Sequence, residues 1–105
     1  MVIVASQLVF AVPPEHSTRA LGQKIKDHVW SRFKISVAEL PKDNADQLVI
    51  GIAVVGGEEA SAKHRSEQVI SHLRDWGVTE LLEADSETIH FEDLELERDF
   101  EKFNP

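Results

Sequence analysis

The chain has 105 residues, 42% hydrophobic and 29% charged, which predicts one soluble globular domain over 1–105 and excludes both a disordered polypeptide and two separate cores. With no cysteine, disulfides, thiolate metal sites and cysteine nucleophiles are excluded, and a reducing, cytoplasmic setting is expected. Nineteen acidic against 11 basic residues give a formal charge of -8, a field that repels phosphate backbones and makes strong nucleic-acid binding an unfavourable expectation.

The first residues, Met1 to Ser6, run straight into an alternating pattern without the basic lead of a signal peptide. No apolar run approaches the roughly 20 residues of a membrane span. Val2 to Val12 reads as a strand with two apolar faces, Val2, Val4, Leu8, Phe10, Val12 and Ile3, Ala5, Val9, Ala11. Pro13-Pro14 ends it, because proline has no N–H for a ladder. Ser17 or Thr18 then caps a helix to about Phe33 whose stripe is Leu21, Ile25, Val29 and Phe33, with His28 at its edge and Trp30 turned away.

Ile35 to Leu40 predicts a short strand, closed by Pro41 and the Lys42-Asp43-Asn44 turn. Gln47 to Val55 predicts a second strand apolar on both faces, the signature of a covered central strand. Gly56-Gly57 turns the chain, and Glu58 and Glu59 suit the N-terminus of a helix that extends to about Trp76, with Gly77 as its left-handed stop. Its stripe is Ala62, Val69, Ile70, Leu73 and Trp76. Thr79 to Phe91 is strand-like again, with a bend or bulge expected at Asp85-Ser86. Beyond it, an acidic extension over about 92–105 carries Leu96, Phe100 and Phe103 at helical spacing, which predicts a short terminal helix.

This order, β-α-β-β-α-β, predicts an α+β, ferredoxin-like fold. A four-stranded antiparallel sheet would have its first and third strands central and both helices on one face. Two helices cover one sheet face, yet both faces of the central strands are apolar. Val9, Ala11, Val49, Ala53 and Val55 are therefore candidates for a homodimer interface.

No catalytic constellation emerges, and the chain is expected to be neither an enzyme nor a cofactor or metal protein. His64 and His72 lie eight residues apart on one helix, about 80° apart in direction, too far to share a metal, and read as solvated. Asp27 points about 100° from its neighbour His28 and cannot orient it as a triad would. Gly56-Gly57 lacks the Lys-Ser/Thr of a phosphate loop. The loop residues Glu15, His16 and Ser17 are the candidate ligand or partner contacts. Arg19, Lys24, Lys26, Trp30 and Arg32 form a candidate partner surface on the first helix.

The run Arg32-Phe33-Lys34-Ile35-Ser36-Val37-Ala38-Glu39, leading to Gly51-Ile52-Ala53-Val54-Val55, resembles the YlxP-like family of small bacterial proteins of unknown function. In that family a basic helix ends in Arg-Phe and precedes strands reading like Val-Ser-Val-Ala-Glu and Leu-Gly-Val-Ala-Val-Val. The resemblance implies a ferredoxin-like homodimer and a link to ribosome maturation or translation. This chain departs from the pattern at two places: its first helix lacks the Ser-Leu-Lys opening, and the turn after Leu40 carries no His-Gln or Trp. A non-enzymatic accessory protein is thus the leading expectation, and a regulatory module binding a small molecule at a dimer interface is the alternative.

Overall fold

The computed structural model describes residues 1–91. Strand β1, Val2–Ala11, is followed by helix α1, Thr18–Phe33, then the strands β2, Ser36–Leu40, and β3, Gln47–Gly56. Helix α2, Glu59–Trp76, and strand β4, Leu81–His90, complete the described order. The sheet runs β2-β3-β1-β4 with every neighbouring pair antiparallel. This is the ferredoxin-like arrangement, and the element order expected from sequence is the one observed.

Local chemistry sets the element ends. Ser17 is extended, and its Oγ accepts the Ala20 N–H at 3.3 Å, satisfying one of the free donors at the start of α1. Lys34 ends that helix in the left-handed region at φ 55°, donating its N–H to the Trp30 carbonyl. Gly77 ends α2 at φ 74°, a conformation that costs glycine nothing.

Helix α1 packs on β2 and β3, and α2 on β3, β1 and β4. Both helices therefore lie over one face. The core there joins Val4, Leu8 and Phe10 of β1 and Leu48, Ile50 and Ile52 of β3 to Ile25 and Val29 of α1 and Val69 and Leu73 of α2. At about 25 cal/mol per Å² of apolar surface, this single layer is the main source of stability.

Three expectations are corrected. Alternation in β1 and β3 suggested that both faces are buried, but in the single chain only the Leu8 and Ile50 set is. Ile3, Ala5, Val9, Val49 and Ala53 are half-buried, and Val55 is 62% exposed. The irregularity in the last strand is not at Asp85-Ser86, which pairs regularly with Gln7 and Ser6. Instead, Val9 pairs with Glu83 and Phe10 with Leu81, leaving Leu82 as the extra residue of a bulge. Regular strand β1 stops at Ala11 rather than Val12, although the Val12 N–H still reaches the Asp46 carbonyl. The proposed terminal helix through Leu96, Phe100 and Phe103 lies outside the described residues.

Candidate functional site

Strand register builds the site on the face that carries no helix. Side chains alternate across a strand, and the pairings align the four strands into level rows on that face. Ser36, Ala53, Ala5 and Glu87 form one row, and Ala38, Gly51, Gln7 and Asp85 the next. Leu40, Val49, Val9 and Glu83 form a third, and Val55, Ile3 and Ile89 close the other end. The five interface candidates, Val9, Ala11, Val49, Ala53 and Val55, all fall on this face.

The rows explain its shape. Ala5, Ala38, Gly51 and Ala53 are small, whereas larger aliphatic groups stand at both ends. A concave hollow of about 720 Å³ opens over the middle of the sheet. Leu40 leans across Gly51, where an added Cβ would lie 3.0 Å from a Leu40 methyl, so glycine is what lets Leu40 lie flat on the sheet there. Gln7 stands exposed at the centre of the hollow. Along one edge, Glu83, Asp85 and Glu87 form a row of exposed carboxylates, none of them paired with a cation of the described residues.

The candidate loop residues gather no pocket of their own. Ser17 is engaged as the cap of α1, the His16 N–H closes a turn onto the Pro13 carbonyl, and the side chains of Glu15, His16 and Ser17 are exposed. The basic surface of α1 is split in two. Lys26 and Trp30 line a groove beside β2, with Lys34 5.3 Å from the centre of the Trp30 ring. Lys24 instead approaches Trp76 of α2, Arg32 lies against Phe33, and Arg19 stands exposed near the start of the helix.

Two polar clusters lie beyond what the sequence indicated. His72 is not solvated: its Nε2 is 2.7 Å from the Nε2 of His28, bridging the helices. With ring planes 10° apart and centroids 5.0 Å apart, the imidazoles meet edge to edge in nearly one plane, as an N–H···N bond requires. Trp76 stacks on His28 at 3.9 Å, and Phe33 meets His72 edge-on. Burial, then His72, then Arg32 hold the His28 pKa below the ordinary imidazole value. A signal existed: His72 and Trp76 are four apart beside the stripe of α2, and His28 borders that of α1. Nothing in one sequence, however, aligns the two helices.

The second cluster is a chain of hydroxyls beneath α2, Ser66 to Ser6 at 3.3 Å and Ser6 to Ser86 at 2.7 Å. Ser6 and Ser66 are 3% and 2% exposed. Among the described residues no histidine or carboxylate bonds to these hydroxyls, and the bonds between them satisfy buried polar groups.

A profile of the family described as "Protein of unknown function (DUF503)" matches residues 16–86. No curated protein sequence matches the chain significantly. Among solved structures, the de novo designed protein Foldit4 is similar with a TM-score of 0.54 at 12% identity, over 87% of this chain and 98% of its own. A structural genomics protein, YJCS, gives 0.51 at 6% identity over 86% and 100%, and the designed Ferredog-Diesel gives 0.50 at 12% over 81% and 83%. These likenesses extend to the fold alone.

Proposed function

This chain belongs to the family described as protein of unknown function DUF503, and from that premise we propose that it is a non-enzymatic accessory protein acting as a homodimer through the helix-free face of its sheet. One observation carries the reading: Ile3, Val9, Val49, Val55 and Ile89 line a sheet face that no element of the described chain covers. Continuous apolar faces of this kind are unusual on monomers. A second copy supplies an apolar cover, and two-fold pairing is the commonest form of oligomer.

The finer resemblance to YlxP-like proteins supports a cytoplasmic role beside the ribosome or its maturation factors. The contact would be through protein surfaces rather than a strongly basic patch. Light scattering at micromolar concentration tests the dimer, and a stable monomer overturns it. Capture of ribosomal subunits or maturation factors by the tagged protein from cells tests the partner. Recovery equal to that of an unrelated acidic protein overturns that part.

The hollow supports a second reading, a small-molecule-sensing module. Its volume falls within the ~300–1,000 Å³ of ligand pockets, and a second copy would roof it. Selective thermal stabilisation by one compound of an amino-acid and nucleotide panel would favour this reading, because a ligand that binds only the folded state raises its stability.

A further inference from the structure

Resting on the homodimer reading, we infer that two copies pair face to face about a two-fold axis parallel to the strands. Strand β4 of each copy then lies over β2 of the other, and β1 of each lies over β3 of its partner.

Register and charge lead to this arrangement. A two-fold axis parallel to the strands reverses their order from side to side and keeps each row at its own level. With the sheet order β2-β3-β1-β4, the axis passes between β3 and β1. Strand β1 therefore faces β3 of the partner, setting Ile3 over Val55, Ala5 over Ala53 and Val9 over Val49, with Gln7 over Gly51. Gln7, at the centre of the face, meets Gly51 and the Leu40 side chain laid across it. At the edges, the row Glu83, Asp85, Glu87 lies over Leu40, Ala38 and Ser36, a strip that carries no charge. The ~30° angle usual between packed sheets displaces these edge rows by about one residue and does not alter which strands meet.

The opposite choice, an axis running across the strands, sets β4 over β4. Carboxylates would then face carboxylates across roughly 10 Å, and Gln7 would meet Gln7. Like charges juxtaposed in a closing interface oppose it.

The chain has no cysteine, so a single introduced thiol reports position cleanly. Full-length Ala38→Cys and Asp85→Cys chains are mixed, allowed to exchange subunits, and treated with a bifunctional thiol reagent spanning about the ~10 Å between packed sheets. The expected result is a covalent dimer from the mixture and little from either variant alone. In the proposed arrangement two Asp85 positions sit some three strands apart, about 14 Å sideways as well as across the gap. Efficient linking of Asp85→Cys to itself, in a protein that is dimeric by light scattering, overturns this arrangement and leaves the homodimer reading standing. A monomeric wild-type chain overturns both. As an independent check, Gln7→Trp, too large for the gap between β1 and the Leu40-covered Gly51 of the partner, should weaken the dimer at least tenfold while leaving the monomer folded, and an unchanged dimer dissociation constant also overturns the inference.

Discussion

At the scale of single residues, the His28–His72 bond makes a pH dependence calculable in sign. In the neutral pair one ring donates from Nε2 and the other accepts at Nε2, keeping its own proton on Nδ1. One added proton can go to the donor ring and leave the bond intact, whereas a second leaves two donors facing each other and breaks it. The folded-state pKa of His28 lies below its ordinary 6.5, so between the two values the unfolded chain binds more protons and stability rises with pH. The contribution is therefore complete above about pH 6.5 and is lost as pH falls through the lowered value. Thermal melts from pH 8 to pH 5 should show a falling Tm that is flattened in His28→Leu, which removes the half-buried group itself. Equal slopes in the two proteins would assign the dependence to other groups.

At the scale of elements, the two helices end in the same left-handed geometry with different residues, and the difference predicts opposite mutational responses. Gly77→Ala places a Cβ at φ 74° and should cost about 1–2 kcal/mol in urea unfolding. Lys34→Gly relieves a similar strain at φ 55°, yet it removes a cation held 5.3 Å from the Trp30 ring. An exposed contact of that kind is worth about 0.5–1 kcal/mol, and glycine also loosens the unfolded chain, so the net change should be within about 1 kcal/mol of zero. At the start of α1, Ser17→Ala removes the acceptor for the Ala20 N–H and should cost about 1 kcal/mol. Ser17 and Gly77 could be read from sequence because capping depends only on neighbours a few residues away. Lys34 could not, since lysine carries no left-handed preference.

For the whole molecule, the open face and the net charge decide behaviour. Val55→Asp alters a side chain that is 62% exposed in the single chain, so the fold should persist while the dimer dissociates. Sedimentation of the variant as a folded monomer is the expected result, and an unchanged dimer would move the interface elsewhere. Val49→Asp lies nearer the centre of the face and should be the more disruptive of the two. Affinity for RNA should stay in the non-specific range and vanish by about 200 mM salt, because the lysines and arginines of α1 are divided between the β2 side and the α2 side on a chain of charge -8. Filter binding across a salt series checks this, and sub-micromolar affinity surviving that salt would overturn it.

The amino-acid order alone specifies the succession of strands and helices, the caps at Ser17 and Gly77, and the apolar stripes, because each is set by residues within a turn or two of one another. It also showed that β1 and β3 each carry two apolar faces. Packing in three dimensions is what places Leu8, Phe10, Ile50 and Ile52 beneath the helices and leaves Val9, Val49 and Val55 on the other side. A period of two is identical for either face, and the helices choose between them by packing. The same holds for His28 with His72, and for Ser6 with Ser66 and Ser86, whose partners lie 44 to 80 positions away. Alignment of Glu83, Asp85 and Glu87 beside an apolar hollow likewise depends on the register between β1 and β4, and on the bulge at Leu82 that shifts it. Register is fixed by contacts between strands, which no local pattern contains.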